Sequence, residues 1–296
     1  MATPNRASLI SKTYKVLKKH YKPVSTDTTR PLMEQLIFAA CLENAHWAPA
    51  EEAFTALRGS FFDWNEVRVS TTRELGEAMR MLPAPTAAAT HVKQILQSVF
   101  ESAYAFELEG LKKQNLGQAQ QRLKKFEGVT PFSLAFVTQA SLGGHSIAVD
   151  RGTAGALAVV GLATQDEVES CAVAGLERAI PKSKGVEFGS LIHQLGADFA
   201  ANPYSTNLHK ILLDIAPEAK ERLPSRRAAK AAAEAAAAAA AERAARRAKR
   251  EAAKKQPPPP ATKRASSKEK EREARPAKPV VKGHEPRTGI AKRKPR

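Results

Sequence analysis

FEGVTPFSLAFVTQASLGGHSIAVD, residues Phe126 to Asp150, follows a charged, glutamine-rich stretch of helical character and interrupts it at Gly128-Val129. Gly128 supplies a backbone position where no side chain blocks positive φ or close approach. Pro131 restarts the chain as a helix, since proline is tolerated in a first turn. An apolar segment, Ile147-Ala148-Val149, then ends in one carboxylate, Asp150. The layout reads as helix, tight hairpin, helix, and an acid held beside the hairpin. Free N–H groups at the start of the second helix favour an anion.

The segments on either side read as helices. Leu9, Ile10, Tyr14, Leu17 and Tyr21 fall on one face of a first helix. Pro31 to Glu43 is apolar nearly all round and predicts a central buried helix. Pro49 opens another, and Thr71 with Glu74 forms a capping-box pattern before a third. Amphipathic stretches follow over Thr86–Phe106 and Leu116–Phe126. Beyond Asp150, the pattern predicts helices over Ala154–Val160, from the Thr164/Glu167 capping box to about Ile180, over Glu187–Ala201 and over Leu208–Ala216. No alternating strand pattern and no internal repeat is present, so the fold class is all-α.

Charge divides the chain. Residues 1–224 hold 24 Lys+Arg against 23 Asp+Glu, whereas residues 225–296 hold 23 against 7. The basic character therefore belongs to the tail. The domains read as a helical body, 1–224, and an Ala/Lys/Arg/Pro-rich basic tail, 225–296, with seven alanines at Ala235–Ala241. The tail is expected to be disordered or partly helical. Its net charge of +16 predicts counterion-releasing, sequence-independent contact with nucleic acid. A nuclear-type basic signal at AKRKPR, RNA binding and simple solubilisation are the alternatives.

Cys41 and Cys171 both sit among apolar neighbours and read as reduced core residues. Two cysteines make neither a disulfide framework nor a zinc knuckle, and no histidines show ligand spacing. No cofactor and no metal are expected. The alanine tract apart, no apolar run reaches membrane-spanning length, so no membrane partner is expected and the chain reads as soluble and intracellular.

The body resembles the helix-hairpin-helix DNA glycosylase superfamily, in its endonuclease III-like branch, from about residue 9 to 216. The family hairpin, roughly L-P-G-V-G-x-K-T-A, is matched by Phe126-Glu127-Gly128-Val129-Thr130-Pro131-Phe132-Ser133-Leu134-Ala135. The family aspartate that closes a V-D segment is matched by Val149-Asp150. LIFAACLENA resembles the family's L-I-x-x-x-L-S-x-Q-A, with Asn44 standing where a glutamine fills the gap left by an extruded base. Gly196 in LIHQLGADF and Asn202-Pro203 echo the family's C-terminal region.

The resemblance implies a two-lobed fold and a monomeric protein of base-excision repair that binds double-stranded DNA. It implies Asp150 as the catalytic carboxylate, stabilising a developing oxocarbenium or orienting water. Gly128, Val129 and Thr130 would hold a backbone phosphate; Asn44, Lys124, Lys125 and Arg151 are further DNA-contact candidates. The departures narrow the chemistry. The lysine that forms a Schiff base in bifunctional members is Phe132 here, so lyase activity is not expected. Thr130 replaces the second hairpin glycine, and Pro131 lacks an N–H. Ala200 and Ser205 lie about where two cluster cysteines would stand, so no iron–sulfur cluster is expected. Two functions remain open: a monofunctional DNA glycosylase, and a catalytically inactive DNA-binding or nucleoid-compacting protein. Each suits a bacterial cytoplasm, associated with the nucleoid; a nucleus is also compatible.

For Asp150 the plainer alternative is an N-cap on the helix that follows it. The plainer alternatives are a surface arginine for Arg151, a solvated helix face for Lys124 and Lys125, and a helix-end cap for Asn44. Trp47 and Trp64 read as core or rim packing. His46, His145 and His193 are scattered and carry no assigned role.

Overall fold

The computed structural model describes residues 5–227 together with Lys230, Arg243 and Arg246. The tail expected from residue 225 onward, including its alanine-rich stretch, lies almost wholly outside the described residues. Among the described residues there are thirteen α-helices, two 3-10 turns and no strand. No helix among them is long and apolar enough to cross a membrane.

Two hydrophobic cores organise these helices. The first forms around α2 (Leu32–Leu42), in which every residue but Glu34 is buried. Such a helix must be wrapped on all sides. Helices α3 (Trp47–Ser60), α4 (Trp64–Val69), α5 (Thr72–Ala78), α6 (Pro85–Ala103), α7 (Leu116–Leu123) and α8 (Pro131–Ala140) supply the wrapping. Phe38 of α2 is the aromatic hub, with ring centroids 5.1 Å from Trp47, 6.0 Å from Phe54 and 5.9 Å from Phe136. The guanidinium of Arg30 stacks 4.4 Å from both Phe38 and Phe54, a cation–π arrangement that lets a buried charge share an apolar wall.

The second core joins the two ends of the body. Leu9, Ile10 and Leu17 of α1 (Arg6–His20) pack with Leu157 of α9 (Arg151–Val159), Phe188, Leu191, Ile192 and Leu195 of α12 (Lys182–Ala201), and Leu212 of α13 (Thr206–Ile215). Short α10 (Gln165–Ser170) and α11 (Leu176–Ala179) close its edge. The chain thus begins in one lobe, builds the other, and returns to the first at Ile147. The segment 141–150 is the return crossing, and Asp150 sits at its end.

Local signals place most helix starts. The capping boxes at Thr71/Glu74 and Thr164/Glu167 both form. Several boundaries move. Helix α3 starts at Trp47 rather than Pro49, with the proline inside its first turn. The helix expected to run from Thr164 to Ile180 breaks at Cys171, whose φ of 50° is left-handed, and resumes as α11 from Leu176. Helix α12 starts at Lys182, not Glu187. Cys41 is buried as expected, but Cys171 is only partly so.

The most extensive helix contact in the second lobe is α9 against α12. It depends on two glycines: a Cβ on Gly152 would strike the carbonyl of Gly196, and one on Gly196 would strike Thr153. Without side chains there, the two backbones approach directly. This contact brings the start of α9 to the middle of α12.

Candidate functional site

The hairpin of residues 124–133 joins α7 to α8. Gly128 has φ of 82°, and a Cβ at that position would lie 2.6 Å from the carbonyl oxygen of His91. Glycine is needed for the turn and also for laying the hairpin against α6. The Glu127 N–H donates to Ser98 Oγ at 3.0 Å, pinning the same contact.

Helix α8 opens with a cap that its sequence did not advertise. Thr130 Oγ1 accepts from the Ser133 N–H at 3.1 Å, while Ser133 Oγ accepts from the Thr130 N–H at 2.9 Å. The Val129 N–H reaches Phe126 O at 3.3 Å. Pro131 has no N–H. The N–H groups of Gly128 and Phe132 are thus left without a hydrogen bond among the described residues, fewer donors than a glycine-rich hairpin would offer. Lys124, Lys125 and Arg151 are exposed, whereas Val129 and Thr130 are half-buried.

Asp150 is the N-cap of α9, and its carboxylate is fully buried. Oδ1 accepts from the Thr153 N–H at 2.7 Å, and Oδ2 accepts from the Asn44 N–H at 3.0 Å. His193 Nδ1 stands 3.3 Å from Oδ2, near enough for charge pairing though not aligned as a hydrogen bond. Burial by itself pushes the Asp150 carboxyl up; His193 and the Thr153 N–H outweigh it and hold the group below the usual carboxylate range. A buried carboxylate is tolerable only with partners of this kind.

Asn44 completes the arrangement from the other lobe. Its φ of 59° is left-handed, a conformation asparagine adopts more readily than most residues. The turn points its N–H at Asp150, while its side-chain Oδ1 accepts from the Gly152 N–H at 2.9 Å. Asn44 therefore clasps the start of α9 with both backbone and side chain. His193 Nε2 lies 2.9 Å from the carbonyl of Ala45. The corner 44–45, the cap at Asp150 and α12 form one interlobe junction.

Phe132 closes that junction. It is among the largest fully buried side chains, with its ring 5.5 Å from the His193 ring and 6.1 Å from Phe136, against which it stacks. Burying such a ring contributes on the order of 2–3 kcal/mol. A second carboxylate, Glu43, lies at the outer edge. Its Oε2 accepts from Thr130 Oγ1 at 2.8 Å. Burial raises its carboxyl above the usual range, the Thr130 hydroxyl opposes this, and the Asp150 charge adds to it. Glu43 and Asn44 line a cleft of about 80 Å³ with Leu82, Pro83, Ala84 and His91. A larger opening of about 930 Å³ lies on the other side of the hairpin entry, lined by Gln118, Arg122 and Lys125 among others. Asp150 lines neither.

His193 and Glu43 escaped the sequence reading. His193 interrupts the apolar face of α12 between Ile192 and Leu195, and a polar residue on an otherwise buried face is the signal that could have flagged it. His46 faces Asp198 at 3.5 Å, and His145 Nε2 meets the carbonyls of Glu177 and Ile180. Trp47 and Trp64 pack against the first core. No three His, Cys, Asp or Glu side chains are grouped to hold a metal among the described residues. Ala200 and Ser205 offer no thiolates, so these positions do not fit a cysteine-ligated cluster.

No family model matches the chain, and no curated protein matches its sequence. Solved structures do match its fold. A non-covalent endonuclease III–DNA complex aligns with 74% of this chain and 99% of its own, at 16% identity and a TM-score of 0.50. A trapped endonuclease III–DNA covalent intermediate aligns with 75% and 100%, at 15% identity and a TM-score of 0.48. An H. pylori 3-methyladenine DNA glycosylase bound to 1,N6-ethenoadenine aligns with 75% and 100%, at 14% identity and a TM-score of 0.39. The chain has the all-α fold of the helix-hairpin-helix DNA glycosylases.

Proposed function

We propose that this protein docks on double-stranded DNA through the 124–133 hairpin, as a monomer, and serves base-excision repair as a binding protein whose Asp150 is structural. The observation that carries this reading is the burial of Asp150, with both carboxylate oxygens engaged by Thr153 and Asn44 and His193 beside them. Hydrolysis of a glycosidic bond needs the carboxylate, or a water on it, against the anomeric carbon of an everted nucleotide. Phe132 fills the space beside His193 and carries no amine for a Schiff base.

Docking draws on the exposed Lys124, Lys125 and Arg151, on the free N–H of half-buried Gly128, and on the basic tail. These contacts go to phosphates and position the duplex without reading sequence. The tail's net charge of +16 supplies affinity through counterion release. The nucleoid of a bacterial cytoplasm is the setting that fits this reading.

The second reading, a monofunctional DNA glycosylase, is favoured by one feature: Asp150, Asn44 and the hairpin converge on a single interlobe junction. It requires Phe132 and His193 to move aside when a nucleotide enters. Purified protein incubated with duplexes carrying uracil, oxidised pyrimidine, 8-oxoguanine:A, T:G or an abasic site separates the two. Hot alkali reveals base loss, and borohydride traps any lyase intermediate. Tight, salt-sensitive binding with no release supports the binding protein. Base release that Asp150→Asn abolishes, in a variant that remains folded, overturns it in favour of the enzyme.

A further inference from the structure

The C-terminal end of α6 carries an aromatic cluster at the surface. Phe100 lies at its centre, with ring centroids 5.8 Å from Tyr104 and 5.5 Å from Phe106. The guanidinium of Arg68, from α4, stands over the Phe100 ring at 4.3 Å and is held there by Asn65 and by Gln97 Oε1 at 2.9 Å. Phe100 and Phe106 are half-buried, whereas Tyr104 is 83% exposed. Tyr104 also ends α6, with a left-handed φ of 52°. Glycine or asparagine holds that conformation at lower cost, and a ring left in water gains little from packing. Backbone and solvation both disfavour tyrosine here, which points to a contact outside the chain.

Charge narrows what makes that contact. Residues 94–111 contain Glu101, Glu107 and Glu109 and no Lys or Arg. Glu109 is engaged by the Leu32 N–H and by Lys112, whereas Glu101 and Glu107 are exposed and flank Tyr104 in sequence. Acids beside the rings repel a phosphate backbone, which argues against nucleic acid as the occupant. A twofold contact with a second copy would set the same acids against one another. A cationic polypeptide segment meets them favourably. Aromatic rings at a surface also seat the prolines of an extended segment, and such a segment loses little entropy on binding because proline has already restricted it.

We propose that the end of α6 is a docking surface for a basic, proline-containing segment of a partner protein. Its prolines lie on Tyr104, Phe100 and Phe106, and its lysines or arginines pair with Glu101 and Glu107. Arg68 braces the Phe100 ring from one side. None of these residues belongs to the hairpin, so this docking and the DNA docking proposed above stand or fall separately.

The test is fluorescence anisotropy of a labelled peptide, RPPKPPRPPK, titrated with the full chain at low ionic strength. Binding should saturate, weaken for the proline-free peptide RAAKAARAAK, and vanish for the charge-reversed peptide EPPEPPEPPE. Tyr104→Asn suits the left-handed turn, so it should melt no lower than wild type yet bind the first peptide about tenfold more weakly, the loss expected for an interface anchor. A purely structural tyrosine would not separate stability from binding in this way. Glu101→Gln/Glu107→Gln should weaken binding about tenfold and flatten its salt dependence. Absence of saturable binding overturns the proposal, as does equal affinity for the three peptides or equal affinity of wild type and Tyr104→Asn. Peptide binding that appears only after removal of residues 256–296 would assign the surface to the chain's own tail. A dimer in sedimentation that Tyr104→Asn dissolves would assign it to a second copy. Either result overturns the partner segment.

Discussion

His193 places one ring nitrogen 3.3 Å from Asp150 Oδ2 and the other 2.9 Å from the carbonyl of Ala45. A histidine on α12 thus bridges the cap of α9 and the corner that follows α2, so the two lobes share one polar joint inside an apolar interface. Joints of this kind cost little when every partner is present and a great deal when one is removed.

Asp150→Ala should destabilise the protein by roughly 3–5 kcal/mol, because it strips the cap from α9 and leaves His193 and the Asn44 N–H without their partner. Asp150→Asn keeps an oxygen for the Thr153 N–H and should cost roughly 1–3 kcal/mol. Urea unfolding followed by circular dichroism measures both. A loss below about 0.5 kcal/mol for the alanine variant would contradict a structural role for the carboxylate.

Acid should act through the same group. Partners hold the folded-state carboxyl of Asp150 below its ordinary value. Its stabilising contribution is therefore complete above the unfolded value near pH 4 and is lost as pH falls through the lower folded value. Wild type should lose more stability than Asp150→Asn as pH falls below about 4. Parallel stability curves for the two proteins in that window would sink this assignment.

Phe132→Ala should cost about 3–5 kcal/mol, the range for emptying a core phenylalanine site. The ring is fully buried between His193 and Phe136. Thermal unfolding reads the effect. A change under about 1 kcal/mol would mean that the junction collapses around the missing ring or that the ring packs loosely.

Gly196→Ala should prevent the close α9–α12 contact, since the new methyl overlaps Thr153 backbone as well as its side chain. Rigid backbone on both sides leaves no cheap relief, so a loss of at least about 2 kcal/mol or failure to fold is expected. By contrast, Gly110→Ala, where the added carbon meets nothing, should leave stability nearly unchanged. Comparing melting temperatures of the two variants separates helix contact from a general intolerance of alanine.

Removal of residues 225–296 should weaken duplex binding by a similar factor for all sequences and flatten the dependence of log Kd on log salt. Titrations at several salt concentrations test this. An unchanged slope would remove the tail from the binding surface.

Much of this fold was legible because helix signals are local. The apolar run from Leu32 to Leu42 announced a wrapped central helix, and the Thr71/Glu74 and Thr164/Glu167 pairs announced helix starts where both capping boxes form. The break at Cys171 was not legible. A left-handed residue there depends on packing of the 171–175 turn, and cysteine has no strong preference for that conformation. The early start of α12 was hidden because Lys182 to Val186 has little apolar pattern to mark it.

Residue order alone establishes the parts: helix, hairpin at Gly128, helix, and one acid at Asp150. Chain order and residue type are enough for that, since they specify which groups exist and roughly where along the helices they fall. What the acid faces follows from the packing of the two lobes. Asn44 from the corner after α2 and His193 from α12 meet at Asp150, with Phe132 of α8 against the His193 ring, where two glycines let α9 and α12 touch. Whether a carboxylate reacts with a substrate or holds a fold together depends on its access to solvent and on its partners, and those are properties of the assembled lobes.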